Sequence, residues 1–105
     1  MTKGDLLRLA DLLELDYQET DSGVWTRQDP TTRNWTKKWE PHNNLNQAFE
    51  CLEGWKKEDI NRKAFIRVTS SYDGGDYSVC LSNYNIESNK SLSLAICNAI
   101  LEEIK

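Results

Sequence analysis

Apolar residues recur at helical spacing in three segments of the chain. In the first, from about residue 4 to 14, they are Leu6, Leu9, Ala10 and Leu13. In the second, residues 43–57, they are Leu45, Ala48, Phe49, Leu52 and Trp55. In the third, residues 91–105, the stripe is broader and comprises Leu94, Ile96, Cys97, Ile100, Leu101 and Ile104. Because positions i, i+3, i+4 and i+7 share one side of an α-helix, we predict three helices, each burying one face.

Polar residues at the starts of the first two segments fit helix N-termini. Thr2 followed by Asp5 resembles a capping box, with aspartate in place of the usual glutamate. Asn44 is a natural N-cap for the second helix, and Gln47 stands at the position from which a side chain reaches back to the cap. These residues predict where the two helices begin.

Alternation of apolar and polar residues predicts strands between the helices. Residues 64–69 and 77–82 alternate on either side of Asp73-Gly74-Gly75, which predicts a β-hairpin because glycine supplies the positive φ of tight turns. Two short strands or an irregular hairpin are predicted over residues 17–26. Residues 29–43 are predicted to form a loop with one short strand near Trp35, and residues 83–89 a loop.

The resulting order is helix, short strands, helix, hairpin, helix. An isolated hairpin is marginally stable, so its sheet needs helices on one or both faces. We therefore predict an α+β protein, an antiparallel β-sheet with α-helices packed on its faces, in the form of an α/β/α sandwich. At 105 residues and without a linker-like segment, residues 1–105 are expected to form a single domain.

The amino-acid composition disfavours several classes of function. Of the residues, 38% are hydrophobic and 29% charged, which is typical of a soluble globular protein. No apolar run approaches the length of a membrane span, and the first residues lack the features of a signal peptide, so we expect a cytoplasmic protein without membrane contact. The net charge of −4 disfavours general nucleic-acid binding.

The chemically reactive side chains form no recognisable catalytic or metal-binding pattern. The three cysteines are widely spaced inside apolar segments, which indicates buried, reduced thiols. His42 is the sole histidine, and nothing in the spacing pairs it with a particular cysteine. Asp73 and Asp76 are interpreted as a solvated hairpin tip. We expect no enzymatic activity, no metal and no cofactor.

One stretch interleaves basic and aromatic residues and is the candidate binding surface. Its members are Trp25, Arg27, Arg33, Trp35, Lys37, Lys38 and Trp39. This mixture suits stacking on single-stranded nucleic acid, and tryptophan and arginine are also enriched in protein-binding hot spots. The alternative is that the tryptophans pack at the edge of the core. The sequence leaves both interpretations open for the stretch as a whole and favours packing for Trp39, where the second helix meets the sheet.

Two short motifs carry a resemblance to a known family. The first is W-x-P-x-x-N at Trp39, Pro41 and Asn44; the second, S-x-x-x-A-I-C-x-A, comprises Ser91, Ala95, Ile96, Cys97 and Ala99. Over residues 35–104 the chain resembles the phage ABA-sandwich domain proteins of bacteriophages and prophages. The resemblance implies an α/β/α sandwich with no established activity and no catalytic residues, and it makes the motif residues architectural.

Three functional hypotheses follow. The leading one is a small non-enzymatic phage or prophage accessory protein that binds a host or phage protein in the bacterial cytoplasm, with an anti-defence role as one form of it. The alternative is a nucleic-acid-binding module that uses the surface of residues 25–39. The third is a homo-oligomeric structural protein, with the leucine-rich first helix as the face of a homodimer.

Overall fold

The computed structural model describes residues 1–27, 37–69, 76–81 and 85–104. Within them the elements are α1 (Lys3–Leu12), β1 (Asp16–Thr20), β2 (Gly23–Arg27), β3 (Lys37–Lys38), α2 (Leu45–Lys57), β4 (Ala64–Thr69), β5 (Asp76–Leu81), β6 (Asn85–Asn89) and α3 (Leu92–Glu103). The α+β class predicted from the sequence is confirmed. None of the described helices has both the length and the apolar character needed to cross a membrane.

The described strands form two antiparallel sheets of three, ordered β1-β2-β3 and β4-β5-β6. The predicted pairing of β4 with β5 is confirmed, and of the two alternatives for residues 17–26 the structure shows the hairpin, with β1 paired to β2. The prediction of a loop over residues 83–89 is wrong for Asn85–Asn89, which pair with β5. Because β6 is polar in sequence and lies at the edge of its sheet, backbone hydrogen bonds define it rather than alternating apolar side chains. The turn at Asp73–Gly75 lies outside the described residues.

One apolar core joins the three helices to both sheets. Its largest share comes from α3, whose buried residues include Ala95, Ile96, Cys97, Ala99, Ile100 and Leu101. This helix packs against α2 and against β5 and β6. Val24 of the first sheet and Val79 and Leu81 of the second are fully buried in the same core. The helices thus cover one face of each sheet.

Helix α1 begins as its sequence predicts and ends earlier. The Asp5 N–H donates to Thr2 Oγ1 at 3.2 Å, and the Thr2 N–H donates to the Asp5 carboxylate at 3.3 Å, so the capping box is confirmed. The helix ends at Leu12, because Glu14 adopts a left-handed backbone with φ 54°. Leu6 and Leu9 lie in the chain's own core, so this stripe is not free to form a dimer face.

Helix α2 begins after Asn44, whose side chain accepts from the Gln47 N–H as predicted. Of its predicted buried face, Ala48, Leu52 and Trp55 are buried as expected, and two residues are not. Leu45 and Phe49 are exposed, while Gln47 and Cys51 are buried. Gln47 does not reach back to the cap; its side chain bonds to the segment that precedes the helix. Helical periodicity identified the helix but misplaced the centre of its buried face.

Candidate functional site

The described part of the basic-aromatic stretch lies mainly on the outer face of the first sheet. Trp25 on β2 stands between Gln18 of β1 and Lys38 of β3 in the strand register. Its ring is half-buried, and its indole N–H donates to Ser22 Oγ at 3.3 Å. The structure therefore brings Trp25 beside Lys38, as a contact surface requires. Arg33 and Trp35 lie outside the described residues.

Most of the positive charge described in this stretch is offset by acidic neighbours. The Arg27 Nε–H donates to the Asp16 carboxylate at 2.7 Å, and Lys37 Nζ lies 3.8 Å from Glu50 Oε1. Lys38 is exposed. Because phosphate affinity depends on summed positive charge, these pairings weaken the described side of the surface as a nucleic-acid site.

Trp39 is a core residue rather than part of a surface. It is 1% exposed, and its indole N–H donates to the Leu6 carbonyl oxygen at 2.9 Å. Its backbone N–H donates to the Val24 carbonyl oxygen at 2.7 Å. The alternative that the sequence left open, packing in the core, therefore describes Trp39.

A groove of about 670 Å³ lies between the C-terminal end of α1 and the outer side of α2. Its lining residues are Leu12, Leu13, Glu14, Leu15, Asn46, Phe49, Glu50, Glu53, Gly54, Lys57 and Glu58. Leucines and the exposed Phe49 ring supply its apolar part, and four glutamates supply most of its charge. The sequence pattern does not indicate this groove, because helical spacing places Phe49 on the buried face of α2.

Two local features build the wall of the groove. Gly54 allows the end of α1 to lie against α2, since a Cβ at this position would collide with the Leu13 side chain. The left-handed backbone of Glu14 then turns the chain towards β1. As a result, the half-buried leucines that end and follow α1 stand beside the exposed side of α2.

The carboxylates that line the groove are unequally compensated. Glu58 accepts from Arg62 at 2.9 Å, and Glu50 is paired with Lys37. Among the described residues, Glu14 and Glu53 have no cationic partner. Lys57 also lines the groove, so the four glutamates outnumber one lining cation. A partly apolar groove with an excess of negative charge favours a ligand that is both apolar and positively charged.

Burial determines the protonation of the cysteine thiols. Cys51 and Cys97 are buried, and Cys80 is half-buried; all three are free thiols. Burial raises the pKa of the Cys97 thiol to about 12 and raises the pKa of Cys51 further, with neighbouring Cys97 adding to the effect. A thiol with so high a pKa is a poor nucleophile at neutral pH, because the thiolate is the reactive form.

His42 is half-buried at the entry to α2. Burial is the largest cause of its lowered pKa, so the imidazole is neutral at pH 7. The backbone carbonyl oxygen of His42 accepts from the Ser93 hydroxyl at 2.9 Å, which ties this entry segment to α3. In the described part of the chain, no group of three histidine, cysteine, aspartate or glutamate side chains is placed to hold a metal ion.

We predict that a thiol reagent distinguishes Cys80 from the two buried cysteines. At pH 8, Ellman's reagent should label Cys80 in the folded protein and label Cys51 and Cys97 only after urea is added. The free energy of unfolding should also fall as pH rises above about 9, because the unfolded thiols ionise there while the buried ones stay protonated. The Cys80→Ala variant is the control and should lose the fast phase. Rapid labelling of that variant would contradict the prediction.

Comparison of the chain with protein-family models, with curated proteins and with solved structures gives no match. The resemblance to the phage ABA-sandwich proteins therefore stays a prediction, and the site has to be interpreted from its own geometry.

Proposed function

We propose that this protein is a small non-enzymatic accessory protein of phage or prophage origin that acts by binding a host or phage protein. The phage assignment is supported by the sequence resemblance alone. The observation that supports protein binding is the groove between α1 and α2, in which exposed Phe49 and half-buried leucines stand beside the uncompensated Glu14 and Glu53. Its volume is within the range of roughly 300–1,000 Å³ typical of ligand sites.

The residues that line the groove indicate the chemistry of the ligand it can bind. Its apolar surface favours a leucine-, isoleucine- or phenylalanine-sized side chain, whose burial removes apolar area from water. The carboxylates of Glu14 and Glu53 favour lysine or arginine on either side of that anchor. We therefore assign the groove to a short basic and apolar segment of the partner protein.

Selection from a random peptide display library tests this assignment and does not require the partner protein itself. Peptides retained by the immobilised protein should be enriched in lysine and arginine around one or two large apolar residues. Their binding should weaken as salt rises, because exposed charges are screened. Peptides without this enrichment would overturn the assignment.

Variants locate the binding to the groove. Combined Glu14→Lys and Glu53→Lys should weaken binding of the selected peptides about tenfold or more, and Phe49→Ala should have a similar effect through lost apolar contact. Glu19→Lys is the matched control, because Glu19 is exposed on β1 and does not line the groove. Equal binding by the control and the groove variant would show that the peptides bind elsewhere.

The nucleic-acid alternative predicts a different result. A single-stranded oligonucleotide would bind with a steep salt dependence, and Lys38→Glu would weaken that binding while the groove variants left it unchanged. The ion pairs of Arg27 and Lys37 make this the less supported function.

A further inference from the structure

Strand β4 is an open edge of the second sheet. Within the described residues it pairs with β5 on one side and with no strand on the other. Along such an edge, alternate residues direct their N–H and C=O groups away from the sheet, where another strand can pair with them.

Three apolar side chains of β4 are exposed, and they lie on both faces of the sheet. Ile66 and Val68 are 39% and 68% exposed, although they lie on the face of Val79, which is fully buried opposite Ile66. Phe65, on the other face, is 58% exposed. The sheet thus extends beyond the helices that cover β5 and β6, and it ends in an apolar strand.

The opposite edge of the same sheet has a different character. Strand β6 reads Asn85-Ile86-Glu87-Ser88-Asn89, so four of its five residues are polar or charged. Polar and charged residues are a common protection against edge-to-edge pairing. Strand β4 has one charged residue, Arg67, and one more, Lys63, directly precedes it. The apolar character is therefore specific to one edge.

We propose that β4 pairs with β4 of a second copy of this chain, antiparallel and about a two-fold axis, so that the two sheets join into one of six strands. Such an axis, perpendicular to the sheet, keeps every residue on its own face. Paired residue numbers therefore differ by an even number, and the registers of greatest overlap are centred on Ile66 or Arg67.

Charge selects between these two registers. Centring on Arg67 places the two Arg67 side chains opposite each other. Like charges directly opposite each other destabilise a strand pair. Centring on Ile66 opposes the two Ile66 side chains and sets Phe65 against Arg67 of the second copy, an aromatic-cation pair. This is the register we assign, and the assignment is independent of the groove between α1 and α2.

Mass measurement over a range of concentrations tests the dimer. Light scattering after size exclusion should show the mass rise from one 12.2 kDa chain towards two as the protein is concentrated. Val68→Lys and, separately, Phe65→Lys should keep the protein monomeric while its circular dichroism is unchanged. Ile60→Lys is the matched control, because Ile60 is exposed in the segment between α2 and β4. A monomer at all concentrations, or a dimer that survives both β4 variants, would overturn the proposal.

Cysteine cross-linking tests the register in a Cys80→Ser background. Ile66→Cys should give a covalent dimer on mild oxidation, because directly opposed residues of antiparallel strands have Cα atoms about 4.5–5.5 Å apart. Val68→Cys should give little cross-linked product, since its partner would be Ala64 of the second copy. Equal cross-linking of the two variants would rule out the Ile66-centred register.

Discussion

Replacement of Trp39 by alanine is expected to lower the free energy of unfolding by about 3–5 kcal/mol. The indole is 1% exposed, so the substitution leaves a large cavity where α1 meets the chain entering α2. It also removes the N–H donor to the Leu6 carbonyl oxygen. Because a domain of this size has a total stability of roughly 5–15 kcal/mol, much of the protein should be unfolded at moderate urea concentrations. Urea unfolding followed by circular dichroism measures the change.

Trp25→Ala is the matched control for this prediction. Trp25 is half-buried on the outer face of the first sheet, and its N–H donates at 3.3 Å to the exposed Ser22 hydroxyl. Its removal should cost about 1 kcal/mol or less in stability. Trp39→Phe should lie between the two, since it keeps most of the apolar volume. Similar losses for Trp25→Ala and Trp39→Ala would contradict the assignment of Trp39 to the core.

These two tryptophans show where the sequence is informative and where it is not. Both belong to the same basic-aromatic stretch, and the sequence favours packing for Trp39 only through its position at the entry to the second helix. Their environments depend on packing between elements distant in sequence: Leu6 accepts from Trp39 across 33 residues. Side-chain type therefore indicated a candidate surface, whereas the decision between surface and core required the tertiary structure.

The elements whose signals are local were predicted well. The capping box at Thr2, the N-cap at Asn44 and the pairing of β4 with β5 follow from residues a few positions apart, and all are confirmed. Strand β6 was missed because its polar sequence lacks the alternation that a half-buried strand shows. The division of the strands into two sheets has no local signal, since strand order depends on contacts across the whole chain.

The groove illustrates the same limit for the candidate site. Helical spacing places Phe49 with Ala48 and Leu52, which are buried, but α2 is rotated so that Gln47 and Cys51 face the core in place of Phe49. A buried glutamine is an unexpected choice for a core position, because an unpaired amide is costly to bury. The hydrogen bonds of the Gln47 side chain explain the rotation, and their removal should have a large effect on stability.

Gln47→Leu is expected to destabilise the protein by about 2–4 kcal/mol, although leucine is apolar and similar in size. The Gln47 Nε2–H donates to the Lys38 carbonyl oxygen at 2.9 Å, and its Oε1 accepts from the Glu40 N–H at 2.7 Å. Leucine would leave both backbone groups without these partners. Asn46→Leu is the control, because Asn46 is exposed on the same turn, and it should change stability by about 0.5 kcal/mol or less. Equal effects would show that the amide is dispensable.

Gln47→Glu separates the role of the amide from that of its volume. The new carboxylate still accepts from the Glu40 N–H but has no donor for the Lys38 carbonyl oxygen, and its charge is buried. Burial should raise its pKa in the folded protein above the unfolded value of about 4.3. The neutral form, which has an O–H to donate, is then favoured by folding. The Gln47→Glu variant should therefore have a lower free energy of unfolding than the natural chain. The difference should be smallest below pH 4 and should grow as pH rises through the folded pKa. A deficit that does not change with pH would show that the Lys38 carbonyl does not need a donor, and that Gln47 holds the segment around Trp39 by packing alone.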